Sequence, residues 1–137
     1  MKKIFLVALV ALIYTFNASA QVPYRVVFDM TSKDTVNQQA VIRQAGLIRE
    51  TNPDSKVEVV IYGQGLDLVT NNGTAQQNAL AKLISEKGVS VKVCAATMKR
   101  NKLDKSQLVP GVDIVPDGIY EIVTRQQEGW GYIKVAH

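Results

Sequence analysis

The 137 residues carry a formal net charge of +4, are 47% hydrophobic and 20% charged, and include one cysteine and one histidine. That composition fits a single globular domain and excludes cysteine-rich zinc sites, while a sole His137 at the terminus leaves no team for His-ligated metals or a Cys-His dyad. Setting aside Lys2 and Lys3 brings the charge to +2, too small to point to nucleic acid as a partner.

Met1-Lys2-Lys3 is a basic start, Ile4 to Phe16 an apolar run, and Ala18-Ser19-Ala20 an A-x-A pattern before Gln21. Together they predict a signal peptide over residues 1–20, cleaved to release a periplasmic or secreted domain over 21–137. The apolar run is shorter than the roughly 20 residues that span a bilayer. No cysteine follows the cleavage pattern, so neither a membrane anchor nor a lipid anchor is expected. In an oxidising compartment a single cysteine is buried and inert, paired between chains, or a reactive thiol.

Tyr24 to Asp29 reads as the first strand, bounded by Pro23 and a polar Thr31 to Asp34. A helix follows from about Asp34 to Glu50, capped by Ser32 or Asp34, and Asn52-Pro53-Asp54 stops it. Val57 to Tyr62 is a second strand, apolar enough for a sheet covered on both faces, and Gly63-Gln64-Gly65 breaks it. Gly65 to Asn72 reads as a loop or short turn carrying Leu66, Leu68 and Val69. Thr74-Ala75-Gln76-Gln77 is a capping box for a helix bearing Leu80, Leu83 and Ile84, with Gly88 suited to its end.

The third strand, Val89 to Val93, alternates: its valines face one way, while Ser90, Lys92 and Cys94 face the other. A helix over Ala95 to Leu103 and a turn at Ser106 to Val109 come next. Val112 to Val115 is a fourth strand, Asp117 caps a last helix with Ile119, Ile122 and Val123, and Trp130 to Val135 is a fifth strand. The order βαβαβαβαβ predicts a three-layer α/β/α domain with a five-stranded, mainly parallel sheet. Parallel strands collect Asp29, Gly63 to Gly65, Cys94 and Pro116 to Gly118 at the carboxyl edge, where such sheets bind ligands.

Cys94 is thus the candidate reactive residue, placed where amide groups at a helix start, aided by Lys92, Lys99 or Arg100, favour thiolate over thiol. The plain alternative is a small hydrophobe filling the top of the sheet. The candidate ligand-binding set is Gly63, Gly65, Lys92, Ala95, Ala96, Thr97, Lys99 and Arg100, against the reading of Lys99, Arg100, Lys102 and Lys105 as a solvated face. Gly63-Gln64-Gly65 lacks a phosphate-loop pattern and is a backbone turn that lets a neighbouring group approach Cys94. Asp29 is read as a helix cap rather than a base, and Trp130 as an aromatic packed beneath a helix end. No second carboxylate converges by spacing, so hydrolytic chemistry has no visible team.

Gly88-Val89 through Met98, Val109-Pro110-Gly111-Val112, Pro116-Asp117-Gly118-Ile119 and Gln126-Gln127-Glu128-Gly129-Trp130-Gly131-Tyr132-Ile133 resemble the DsrE/DsrF-like family of sulfur-relay proteins, over roughly Tyr24 to Val135. The resemblance implies a five-stranded parallel α/β/α domain that assembles into homo- or hetero-oligomers, often trimers or hexamers, and it matches Cys94 to a persulfide-carrying cysteine. It implies sulfur donors and acceptor thiols as partners, with no metal and no organic cofactor. Better-understood members act in the cytoplasm and some relatives lack the cysteine, so the fold alone does not guarantee the activity. The rival expectation is a non-catalytic oligomeric module that binds a small ligand or a partner, with an inert Cys94.

Overall fold

The computed structural model describes residues 23–135; the signal-peptide reading of residues 1–20 and the terminal His137 lie outside them. Strand β1 (Arg25–Met30) leads to α1 (Thr35–Thr51), β2 (Lys56–Ile61), α2 (Ala75–Ile84), β3 (Val89–Cys94), α3 (Ala95–Arg100), β4 (Asp113–Val115), α4 (Gly118–Gln127) and β5 (Gly131–Val135). The strands form one five-stranded parallel sheet in the order β4-β3-β2-β1-β5. None of the described helices is long and apolar enough to cross a membrane.

Period-two alternation sorts the side chains into two layers. Val26, Phe28, Met30, Val57, Val59, Ile61, Val91 and Val93 face one way and pack with Val41 and Ala45 of α1 and Leu80 and Leu83 of α2 into the main core. Full burial of each such valine or leucine stabilises the fold by about 1.5–3 kcal/mol. On the opposite face Val27 and Val60 meet Ile122 of α4, with Tyr62 and Trp130 against them. One helix, α4, therefore serves the second face, where α1 and α2, with Met98 of α3, serve the first.

Local signals behave largely as their chemistry requires. Asp34 caps α1 by accepting from Val36 N at 2.8 Å, and Asp117 caps α4 by accepting from Tyr120 N at 2.9 Å. The Thr74–Gln77 capping box closes both ways, at 3.3 and 3.1 Å. Differences have physical causes. Helix α2 ends at Ile84, and Gly88, with φ +85°, belongs to the turn into β3. Helix α3 stops at Arg100 because Lys102 turns to φ 54°, before the apolar Leu103 is reached. The segment expected as loop opens as a 3₁₀ helix over Gly63–Leu68, since Leu66 and Leu68 are buried and draw the backbone onto the core.

Candidate functional site

Two chain segments converge on Cys94 at the carboxyl edge of the sheet. The first is its own continuation, where β3 passes directly into α3 and Cys94 occupies the N-cap position with extended backbone. The second is the start of α4, brought over the end of β3 and β2. Gly118 is buried there, and a Cβ at that position would lie 3.3 Å from Cys94 Cβ, from Tyr62 Cδ1 and from Val60 Cγ1. Any side chain would wedge the helix start away from the sulfur.

Cys94 is 4% exposed. Burial by itself pushes its thiol pKa up, yet the net direction is down: the Thr97 hydroxyl and the amides of Gly118, Thr97 and Ala96 hydrogen-bond toward the sulfur and outweigh the desolvation. Thr97, 1% exposed, is the most informative of these. Its oxygen accepts from Arg100 Nη2 at 3.2 Å and from Gly63 N at 3.5 Å. A hydroxyl has two acceptor sites and one proton. With both acceptor sites engaged, the hydroxyl still has its proton to donate.

Each predicted ligand residue can now be placed. Ala96 and Thr97 lie in the first turn of α3, where the Cys94 side chain makes no capping hydrogen bond, and Gly63, at φ +59°, turns its N–H toward Thr97. Ala95, half-buried, is the first residue of α3. Arg100 is exposed, folds back onto Thr97 and has no carboxylate partner among the described residues; Lys99 is exposed beside it. Gly65 packs elsewhere, because a Cβ there would strike the Met30 carbonyl at 2.7 Å. Its smallness serves the β2 exit and not Cys94.

Lys92 departs from expectation. Its ammonium is taken up by Glu58 at 3.1 Å and Glu121 at 2.6 Å. Glu58, 1% exposed, also receives Arg125 Nε at 3.1 Å and Ser90 Oγ at 3.2 Å, and Arg125 binds Glu121 at 2.9 Å. Burial raises the Glu121 carboxyl, but Lys92 and Arg125 more than compensate and hold it below its ordinary value. The polar face of β3 is therefore matched from within the chain, by β2 and α4. Ser90 and Lys92 therefore need neither solvent nor a second subunit to satisfy them.

Asp29 is not a helix cap. It is 5% exposed and accepts from Tyr132 Oη at 2.7 Å and Lys134 Nζ at 3.0 Å. Lys134 also donates to Thr31 Oγ1 at 2.8 Å and lies 5.6 Å from the Tyr62 ring centroid. Burial and the neighbouring Asp29 push the Tyr62 phenol up to about 12, and the hydrogen bond to Asp29 raises Tyr132 likewise to about 12. Trp130 packs beneath the end of α4, with the Arg125 and Arg25 guanidinium carbons 5.1 and 5.9 Å from its ring centroid. No group of three or more His, Cys, Asp or Glu residues converges to hold a metal ion among the described residues.

A profile described as the DsrE/DsrF-like family matches residues 25–135. No curated protein matches the chain. Among solved structures, the protein of unknown function MTH1491 from Methanobacterium thermoautotrophicum is 30% identical, with a TM-score of 0.75 over 81% of this chain and 98% of that one. The ychN protein from E. coli shares the fold at 14% identity and a TM-score of 0.68, covering 82% of this chain and 99% of its own. A conserved protein of unknown function from Bacteroides thetaiotaomicron, BT1422, does so at 13% identity and 0.65, covering 81% and 94%.

Proposed function

The chain belongs to the DsrE/DsrF-like family, and from that premise we propose that it is a periplasmic or secreted sulfur-relay or sulfane-sulfur-binding protein that carries a persulfide on Cys94. The family suggests a sulfur-relay type of role; the site supplies the chemistry. The observation that carries the assignment is the place of Cys94, the N-cap of α3 at the carboxyl edge of the sheet with Gly118 at the start of α4 packed against it; the lowered direction of its thiol pKa agrees with it.

In the transfer step the Cys94 thiolate attacks the outer sulfur of a donor persulfide, polysulfide or thiosulfonate. A new S–S bond forms at Cys94, the donor's own bond to that sulfur breaks, and the electron pair leaves with the donor fragment. An acceptor thiolate then attacks the transferred sulfur and releases Cys94 as the thiolate. No external oxidant or reductant enters. Arg100 and Lys99, exposed on the helix that Cys94 caps, attract anionic donors.

Mass spectrometry of the full chain after polysulfide treatment tests this. The expected result is a gain of about 32 Da, one sulfur atom, removed by reductant and absent in Cys94→Ser. No adduct, or one that persists in Cys94→Ser, refutes it. The rival reading, an oligomeric binding module with an inert cysteine, has an observation of its own in the 4% exposure of Cys94. A native thiol that reacts only after unfolding would establish that rival.

Export follows from the leader pattern in residues 1–20, and a mature protein that begins at Gln21 is the expected finding on N-terminal sequencing. Assembly into a homo-oligomer, a trimer or hexamer, is supported by exposed Ile119, Tyr120 and Val123 on α4 and Tyr132 on the same side of the sheet. Light scattering that returns a monomer counts against it.

A further inference from the structure

Sulfur transfer as written engages Lys99 and Arg100 and leaves Lys102 and Lys105, the next cations along the chain, without a role. Lys99 and Arg100 close α3, Lys102 stands in the turn that follows, and Lys105 opens a 3₁₀ turn over Lys105–Gln107. All four residues are exposed, and none forms an ion pair among the described residues. The acid between them, Asp104, is occupied locally. Its carboxylate caps the 3₁₀ turn, accepting from Ser106 N at 2.9 Å and from Ser106 Oγ at 2.8 Å. Four unmatched cations therefore fall within the seven residues Lys99 to Lys105, whereas Lys92, Arg125 and Lys134 are all matched by carboxylates.

Backbone conformation singles out Lys102. Helix α3 ends in a left-handed turn, with Leu103 N bonded to Met98 O at 3.0 Å and Lys102 N to Lys99 O at 3.2 Å. Such a turn places its central residue at positive φ, where glycine or asparagine is the usual occupant. Lys102 has φ 54°, and the other five described positions with positive φ are all glycine. The lysine side chain makes no hydrogen bond or ion pair among the described residues that would offset this strain. A residue that breaks a local rule without an internal compensation points to a task at the surface.

Distance separates that task from the capture of a small donor. Cys94 caps α3, which is six residues long, so the far end of the helix lies about 9 Å from its start at 1.5 Å per residue. Arg100 turns back onto Thr97, while Lys102 and Lys105 carry the charge onward through the two turns beyond the helix. A donor of a few atoms meets the first charges of this run and not the rest. A macromolecular surface meets all of them.

We propose that Lys99 to Lys105 is the docking surface for a protein that brings an acceptor thiol to Cys94 from within an acidic patch, with Lys102 at the centre of the contact. The proposal rests on the reading of Cys94 as a sulfur carrier and names the class of its acceptor. Carboxylates around a thiol raise its pKa through charge. Lysines that neutralise them on docking lower it again, so the acceptor becomes a thiolate where it is needed. That thiolate attacks the outer sulfur held on Cys94, a new S–S bond forms on the acceptor, and the bond to Cys94 breaks with its electron pair to leave the Cys94 thiolate.

The experiment loads the full chain with polysulfide and times sulfur transfer to two short peptides, one with its cysteine between glutamates and one with its cysteine between serines. The acidic-to-neutral rate ratio is compared between wild type and variants, which cancels the peptides' own thiol acidity. In Lys102→Glu/Lys105→Glu the ratio should fall about tenfold at low salt, and the wild-type preference should fade as the screening length drops from about 10 Å at 0.1 M to about 3 Å at 1 M. Lys102→Gly should lower the ratio about two- to threefold and raise the urea midpoint, because glycine suits the backbone; it remains informative if the double variant does not fold. A ratio unmoved in either variant overturns the inference and leaves sulfur transfer standing. Equal lysine dependence with mercaptoacetate, a small anionic thiol, assigns the run to small ligands and likewise overturns it. If Cys94 takes up no sulfur, the inference and the sulfur reading beneath it fall together.

Discussion

Replacing Thr97 by valine keeps a branched side chain in a fully buried position and removes one hydroxyl. That hydroxyl gives its proton to the Cys94 sulfur and accepts from Arg100 and Gly63. A hydrogen bond to a charged group contributes about 1.5–3 kcal/mol, and one pKa unit corresponds to about 1.36 kcal/mol. The thiol midpoint should therefore rise by roughly 1–2, with the amides of Gly118, Thr97 and Ala96 retained. Below both midpoints the thiolate fraction falls about 10- to 100-fold, but each remaining thiolate is more nucleophilic with a Brønsted slope of about 0.4–0.5, so alkylation slows only about three- to tenfold. The assay is the rate of iodoacetamide modification against pH, followed by mass, with Cys94→Ser as the blank. Thr97→Ser restores a hydroxyl and should recover most of the effect. A Thr97→Val protein with an unmoved midpoint, or one that reacts faster at a pH below both midpoints, would refute the role given to this hydroxyl.

Three further outcomes are expected. Gly118→Ala inserts a methyl 3.3 Å from Cys94, Tyr62 and Val60; overpacking of this kind costs about 1–3 kcal/mol, and both the urea midpoint and Cys94 reactivity should fall together. Glu58→Gln removes the buried carboxylate that Lys92 and Arg125 share while Glu121 still pairs with both, so the loss, measurable by urea unfolding, should stay below the about 3–5 kcal/mol of a buried charge left unpaired. The Tyr62 and Tyr132 phenols are raised from 10.0 to about 12 in the fold. An acid raised on folding keeps its full contribution below the unfolded value and loses it as pH climbs through the folded one. Stability should thus decline between about pH 10 and 12, and Tyr132→Phe should flatten part of that decline; a pH-independent midpoint across the window contradicts the assigned environments.

Alternation along β3 was enough to separate Val91 and Val93 from Ser90, Lys92 and Cys94, and the strand-to-helix junction placed Cys94 at the ligand-bearing edge. Those inferences rest on neighbours in sequence, where spacing encodes geometry. Partners of Lys92, Glu58 and Asp29 were not legible, because they come from strands and a helix far away along the chain. Lys92 meets Glu121 across 29 positions, Arg125 meets Glu58 across 67, and Tyr132 meets Asp29 across 103. Only the strand order, with β5 beside β1, brings the last pair together. Gly118 was visible as part of a Pro116-Asp117-Gly118 turn, but its proximity to Cys94 depends on where α4 lands. Thr97 stood in the candidate set for its amide; its hydroxyl matters more.

The position of β5 has a consequence for how the molecule is made. Asp29 leaves the ribosome about a hundred residues before the two side chains that neutralise and bind it, at separations of 103 and 105. Until β5 docks, β1 is an open edge carrying a carboxylate directed into the fold. Contacts so distant in sequence slow folding, and here they close last. Burial of that charge therefore waits for β5, and a nascent chain that stalls before Tyr132 has every described helix but no stable sheet edge on which to finish the fold.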